Sequence, residues 1–526
     1  MKQFTDEQAA DGPTAPPDLR RRIVDIVAAR TQYDESYLLP DSHFEGQLGI
    51  DSVILQSIIR SVEEHFGVVR LPEGLSTIRE LTAAVESALS SRGEPRERPS
   101  GDAGEARDWD DRSMKDFREE RDPDLFAKTR TFGAYLRRRT GDQLYWYGMP
   151  LLSRSTNRAV IHDELTGRAR EFLMFASNNY LGLANHPRVV EAVCEATRTY
   201  GATHTGSRII GGTNRLHKEL ESRLAAFKQR PACILFPGGY PANLGTISAL
   251  VKNYDAVIAD RLNHMSIVDG ALLSGGIRRI FRHNDMADLE RVLAGCADEA
   301  AGKLVVVDGV FSMHGDICDL PEIVRLARSH GARVLVDDAH ATGVLGARGT
   351  GTAEHFGLKG EVDLELGTLS KTLAGMGGFV VGEEEVIDYL RFYADSYVFA
   401  ANIPAGVAAG LLASLDVMES EPERIKQLWT NIHTLRTHLT EAGFDLENTE
   451  SAILPLVIGD ERRALEMGRA VRARGLFCQT VVYPGVPVGD ARLRISVTSE
   501  HTERDLSLAA EIFVDAARET GVLPHG

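Results

Sequence analysis

No stretch of about 18 uninterrupted apolar residues occurs in the 526-residue chain, so no membrane-spanning helix is expected. The opening MKQFTDEQAADGPTAPPD has no apolar signal-peptide core. Cysteine is scarce: Cys194, Cys233, Cys296, Cys318 and Cys478 are scattered, odd in number and never in CxxC spacing. That argues against a disulfide framework or a zinc site, and a reducing cytoplasm is the expected location. Positive charge is also in deficit. A net charge of −17 disfavours nucleic acid, whose phosphates need a basic surface. There is no GxxxxGK[ST], hence no P-loop, and no internal repeat or heptad run.

What is present divides into zones, as the length predicts for two to four domains. LRRRIVDIVAAR places Leu19, Ile23, Val24, Ile26 and Val27 at helical spacing. VILQSIIRSVEEHFGV does the same with Ile54, Leu55, Ile58, Ile59, Val62 and Phe66. STIRELTAAVESAL offers a further helix capped by Ser76 or Thr77. No strand pattern interrupts them, so a small helical bundle is expected over 15–90, after a tail at 1–14. SRGEPRERPSGDAGEARDWDD is charged, rich in Gly and Pro, and almost free of apolar residues. It reads as a flexible linker, set at 91–124. From about 125 to 526 the runs ACILF, AVIAD, LVVVDGVF, RVLVDDAH and GFVVG alternate with helices. Apolar runs of strand length between helices predict an α/β large domain (about 175–402) around a mostly parallel sheet. A smaller α+β domain (about 403–526) follows and takes in the segment before the large domain.

Two stretches carry chemistry. In ELGTLSKTLAGMGGFVVG, Lys371 follows an apolar run and precedes a glycine-rich turn. In RVLVDDAHATGVLG, Asp337 and His340 stand at the end of a strand, where open α/β sheets build their sites. Taken singly, Lys371 reads as a surface lysine and Asp337 as a helix cap. A metal reading of Asp337 and His340 lacks further ligands at suitable spacing, so no metal is expected. Together the stretches fit pyridoxal phosphate. Lys371 supplies an amine, Asp337 an anion for the pyridine nitrogen, and Thr368 and the glycines around Gly239 a phosphate cradle.

The segments ASNNYLGLANHP, GSRIIGGTNRLHKELE, LFPGGYPANLG, DRLNHMSIVDG, VFSMHGD, VLVDDAHATGVLG, TLSKTLAGMGG and LRISVTSEHT occur in this order. From about residue 145 to 502 the chain resembles the α-oxoamine synthase family of fold-type I pyridoxal phosphate enzymes. Its members include 8-amino-7-oxononanoate synthase and serine palmitoyltransferase. The resemblance implies that Lys371 is the Schiff-base lysine and general base, Asp337 the partner of the pyridine nitrogen, and His340 a group at the cofactor's 3′-oxygen. It makes His264 the histidine stacked on the ring and the candidate oxyanion stabiliser. Ser312 becomes a second hydroxyl near the 3′-oxygen, and Gly239, Tyr240 and Thr368 phosphate contacts. Asn178 and Arg494 become the groups that hold the amino-acid carboxylate, a task suited to the guanidinium fork. Two departures stand out: Ala400 and Asn402 occupy a segment that often carries Ser or Thr for the partner subunit's phosphate site, and His314 replaces a frequent acidic residue. A homodimer is implied.

The family joins an amino acid to an acyl thioester with loss of carbon dioxide. GQLGIDSV supplies the donor question: Asp51 and Ser52 make a good helix start, and the region 18–90 also resembles an acyl carrier protein, a four-helix bundle. In that family the corresponding serine, here Ser52, takes 4′-phosphopantetheine. A phosphopantetheinyl transferase and an acyl-loading enzyme are then partners. A tether of about 25 residues spans roughly 25–30 Å and holds the donor near millimolar effective concentration. The alternatives are a synthase fed by acyl-CoA with a non-donor helical module, a plain aminotransferase, and a non-catalytic carrier scaffold.

Overall fold

The computed structural model describes residues 17–31, 38–41, 44, 50, 52–66, 68, 71–72, 75–90 and 109–524. The chain divides into two compact units, 1–107 grouped with the short stretch 279–281, and 108–278 with 282–526.

In the first unit, helices Pro17–Thr31, Ser52–Phe66 and Ile78–Ser90 lie among the described residues. Their apolar stripes meet: Ile23, Val27, Ile58, Val62, Ile78, Leu81 and Val85 are fully buried around Phe44. Burying each such side chain contributes about 1.5–3 kcal/mol. Thr77 begins the third helix with a capping box. Its hydroxyl accepts from the Glu80 N–H at 3.2 Å, and the Glu80 carboxylate takes the Thr77 N–H at 3.3 Å. Ser52 is the first residue of its helix, as the apolar periodicity predicts; its side chain and Asp51 lie outside the described residues.

The second unit is built on three sheets. Strands β1 (Arg158–Asp163) and β2 (Arg168–Met174) form an antiparallel hairpin. Strands β3 (Ala232–Phe236), β4 (Ala256–Asp260), β5 (Ile277–Phe281), β6 (Lys303–Asp308), β7 (Arg333–Asp337), β8 (Leu364–Thr368) and β9 (Gly378–Gly382) make a seven-stranded sheet in the order β3-β9-β8-β7-β6-β4-β5. β4, β6, β7 and β8 pair in parallel, and β9 runs antiparallel to both neighbours. β8 and β9 are buried throughout, and their residues are apolar or small except Glu365, whose buried carboxylate pairs with Lys228 and Lys359. In the small domain, β10 (Ile453–Gly459), β12 (Gln479–Val481) and β13 (Ala491–Ser496) pair antiparallel, while β11 (Leu476–Phe477) joins β2. Helices Glu423–Glu441, Glu461–Ala473 and Glu503–Glu519 complete the α+β unit.

Within the 91–124 stretch, residues from 109 onward carry packed side chains. The Trp109 ring lies 3.4 Å from the buried guanidinium of Arg139, and Arg462 flanks the same ring. Ser113 caps the helix Met114–Glu119, whose Phe117 is buried against Phe132 and Tyr135. Two aromatics in a charged stretch suffice to anchor it, and its average composition hides them.

Candidate active site

The carboxyl ends of β6, β7 and β8 meet the amino-terminal turn of helix Gly239–Leu250 around a cavity of about 210 Å³. Eight predicted residues line it: Gly239, Tyr240, His264, Ser312, Asp337, His340, Thr368 and Lys371. They come from five separate stretches (239–240, 264, 312, 337–340 and 368–371), which the parallel crossovers bring together. Asp308 and Asp337 end neighbouring strands and stand in register, which places two carboxyls at the cavity floor.

Lys371 Nζ lies 2.8 Å from His340 Nε2. Burial lowers its pKa to about 8, with Asp337 opposing and Arg494 adding to the shift. Near neutral pH a useful fraction of the amine is therefore free to act as nucleophile or base. His340 is held well below the ordinary imidazole range by burial, with Lys371, Arg494 and His264 adding to the shift, so it is neutral. Burial raises Asp337, while Asn243, Lys371 and His264 pull it back. Its two oxygens accept from Asn243 Nδ2 at 2.7 Å and from the Ala339 N–H at 2.9 Å. Asn243 also reaches Ser266 Oγ at 2.9 Å, and Ser266 Oγ lies 2.8 Å from His264 Nδ1. The backbone N–H of His264 donates to Asp308 Oδ2 at 3.0 Å.

The expected phosphate cradle has a backbone cause. A Cβ at Gly239 would stand 3.1 Å from Thr368 Cβ, so the glycine lets the helix N-terminus close against that hydroxyl. Thr368 Oγ1 and Ser370 Oγ are 2.9 Å apart. Exposed helix amides and paired hydroxyls suit a phosphate dianion. Tyr240 instead donates its hydroxyl to Asp269.

Asn178 and Arg494 adjoin the cavity through Ser312. Arg494 Nε donates to the Ser312 carbonyl at 2.6 Å, and Nη1 reaches Asn178 Oδ1 at 3.4 Å and Ser496 Oγ at 3.0 Å. Asn402 is engaged within its own subunit, reaching His217 Nδ1 at 3.1 Å. His314 is brought down to about 4 by burial and the nearby Arg492, so it is neutral and supplies no charge in place of the usual acid. The reading of the sequence missed Asn243, Ser266, Ser370, Asp308 and Tyr180. Asn243, Ser266, Ser370 and Tyr180 all stand inside the segments quoted above; Asp308 ends an apolar strand just as Asp337 does, which is the signal that could have found it.

Near the site, His283 lies 3.0 Å from Asp260 and 2.7 Å from Asp316, which ties the Ser312 loop to the end of β4. The two carboxylates raise its pKa to about 9 against the cost of burial. The stabilisation is complete below about pH 6.5, the unfolded value, and disappears as pH rises through about 9. Replacing His283 with glutamine should cost roughly 3 kcal/mol at pH 6 and much less at pH 10, read from urea unfolding at both pH values. An equal loss at both would refute the charge clamp.

The comparisons with known proteins fit this geometry. The aminotransferase class I and II family matches residues 170–513, and the phosphopantetheine attachment site family matches 21–85. The chain is 52% identical to the 4-hydroxy-2,2′-bipyrrole-5-methanol synthase PigH of a Serratia species, covering 94% of this chain and 80% of that protein. It is 44% identical to an 8-amino-7-oxononanoate synthase of Symbiobacterium thermophilum over 67% of this chain and 90% of that one. Among solved structures, a Sphingomonas wittichii serine palmitoyltransferase is 34% identical with a TM-score of 0.72, covering 76% of this chain and all of the other. A serine palmitoyltransferase variant from S. paucimobilis with a bound pyridoxal phosphate–myriocin aldimine superposes with a TM-score of 0.73 at the same identity.

The chain belongs to the aminotransferase class I and II family, in its α-oxoamine synthase branch, with a phosphopantetheine attachment unit ahead of the catalytic one. It is a pyridoxal phosphate-dependent acyltransferase that condenses an amino acid with an acyl thioester, and pyridoxal phosphate and 4′-phosphopantetheine are its cofactors. The expected class and cofactors stand. No helix among the described residues is long and apolar enough to cross a membrane.

Proposed function

We propose that this enzyme condenses serine with an acyl group carried on the phosphopantetheine arm of Ser52, releasing carbon dioxide and an α-amino ketone. The observation that carries this reading is one chain holding both a phosphopantetheine attachment segment over 21–85 and a cavity shared by a buried amine and a buried carboxyl.

The residues present fit the cofactor: an amine at Lys371, a carboxyl at Asp337 and a phosphate cradle at Gly239, Thr368 and Ser370 face one cavity. When bound, pyridoxal phosphate supplies an electron sink for the Cα carbanion. Lys371 holds the cofactor and then moves the Cα proton. Asp337, fixed by Asn243 and the Ala339 amide, keeps the ring nitrogen protonated. Arg494 and Asn178 grip the carboxylate that is later lost. His264, which lines the same cavity, would face the bound cofactor and could stabilise an oxyanion at the thioester carbonyl.

Serine is favoured by two relatives. One is named for it: a serine palmitoyltransferase of Bacteriovorax stolpii, 40% identical over 70% of this chain. The other is named for a methanol group at ring position 5, beside a pyrrole nitrogen. An amino ketone made from serine carries CH₂OH on the carbon bearing its amine, and ring closure of that amine leaves the group in that place. The acyl partner, its loading enzyme and the phosphopantetheinyl transferase belong to the same reading.

A homodimer completes it. Ile210 is 86% exposed and Phe399 83%, and the Ser207–Ala401 bridge brings their loops together. Exposed apolar side chains on adjoining loops support a subunit interface there. Phe399→Asp should sediment as a monomer and the parent as a dimer; a monomeric parent would remove this part of the proposal.

The test of the function is intact-protein mass spectrometry of the acyl-loaded holoenzyme followed by addition of single amino acids. Serine should discharge the acyl group with stoichiometric carbon dioxide. Discharge by alanine or glycine with none by serine would overturn the choice of amino acid. No discharge by any amino acid would overturn the carrier reading.

A further inference from the structure

Tyr180 is fully buried, takes no part in the roles assigned above, and stands between the two halves of the site. Its hydroxyl lies 2.8 Å from His340 Nδ1 and 3.2 Å from Asn178 Oδ1. His340 Nε2 in turn meets Lys371 Nζ at 2.8 Å. Asn178 Oδ1 also receives Arg494 Nη1 at 3.4 Å and Ser496 Oγ at 3.3 Å. An unbroken hydrogen-bonded line thus runs from the lysine amine to the carboxylate-binding arginine. The backbone of Tyr180 is pinned as well: its carbonyl accepts from Ser499 N at 2.8 Å.

One hydroxyl proton serves two acceptors, and this has a consequence for the histidine. With Lys371 as an ammonium, Nζ donates to His340 Nε2, the imidazole proton sits on Nδ1 and donates to the Tyr180 oxygen, and Tyr180 donates to Asn178 Oδ1. With Lys371 as a free amine, Tyr180 turns its proton to His340 Nδ1, the imidazole proton sits on Nε2, and Nε2–H donates to the amine lone pair. The two arrangements differ by one proton, lost from Lys371 to solvent or to an incoming base, and by the tautomer of a neutral imidazole.

We propose that Tyr180 is a positioning residue that switches the tautomer of His340, so that the protonation of Lys371 and the hydrogen bonding of the carboxylate site at Asn178 and Arg494 are set together. The phenol itself does not ionise: burial raises its pKa, with Arg494 and Ser496 opposing. The inference rests on Lys371 being the cofactor-binding amine; it does not depend on the identity of the acyl donor.

The test uses the cofactor-free full-length enzyme and follows the rate of pyridoxal phosphate capture against pH, which reports the free amine. Lys371 faces Asp337, Asp308, His340 and Arg494, and His264 faces both Asp337 and His340, so all of these are left in place. Tyr180→Phe keeps the ring and removes the hydroxyl. The ammonium arrangement then strands a buried N–H, whereas the amine arrangement strands only a lone pair, the lesser cost. The midpoint of capture should therefore move down by about 0.7 pH unit, a fivefold change in the protonation equilibrium. Asn178→Ala removes the far acceptor of the same line and should move the midpoint the same way, which keeps the test alive should the first variant misfold. A merely structural tyrosine would change the melting temperature and leave the midpoint alone. Midpoints unchanged or raised in a folded variant overturn the proposal. No capture by the parent enzyme at any pH would instead overturn the assignment of Lys371.

Discussion

Replacing Lys371 with alanine should lower turnover by at least about 10²–10⁴-fold, the scale of losing a positioned proton-transfer group. The variant should still fold. Lys371 follows β8, its side chain ends at the cavity, and its amine hydrogen-bonds with His340 there. Cofactor should still bind through the cradle and Asp337, but borohydride reduction should no longer fix it to the protein. A small primary amine added to the solution should restore part of the proton transfer. Solvent exchange of the serine Cα proton, followed by mass spectrometry, is the direct reading. Exchange at the parent rate would remove Lys371 from the mechanism.

Ser52→Ala should abolish the mass gain on treatment with a phosphopantetheinyl transferase and coenzyme A. With it should go all carbon dioxide release that depends on a carrier-bound acyl group. The tether holds its donor at roughly millimolar effective concentration, so a free thioester supplied at micromolar level should run about 10²–10³-fold slower. Serine Cα exchange should continue, because the catalytic unit retains its whole site. If the variant matched the parent with free acyl-CoA, the donor would be coenzyme A and the helical unit would serve another purpose. Paired with Lys371→Ala, this variant separates loading from chemistry: one protein loads and cannot react, the other reacts with serine and cannot load.

Much of this was legible in linear order. Eight segments in family order identified the catalytic family, and five of them supply residues that line the cavity. Lys371, Asp337 and His340 could be named because their chemistry is rare at such ends. The helical stripe around Ile58 and Val62 announced the carrier core, since burying one face requires helical spacing. The charge of the 91–124 stretch is an average, and it does not reveal the packing of Trp109 and Phe117 within it. Asn243 went unassigned for a different reason. It sits one turn into a helix whose glycine-rich start drew attention to phosphate, and its bond to Asp337 spans 94 residues.

The sequence by itself determined the class of reaction, the cofactor and the presence of a carrier, because these depend on residue types at fixed local spacing. Tertiary structure alone decided how the groups act on one another. The parallel register of β6 and β7 set Asp308 beside Asp337. Burial brought the Lys371 amine to about pH 8, within reach of neutral solution. The packing of Tyr180 between His340 and Asn178 joined the lysine to the carboxylate site. Distance, dielectric and hydrogen-bond direction govern all three, and the folded chain determines each of them.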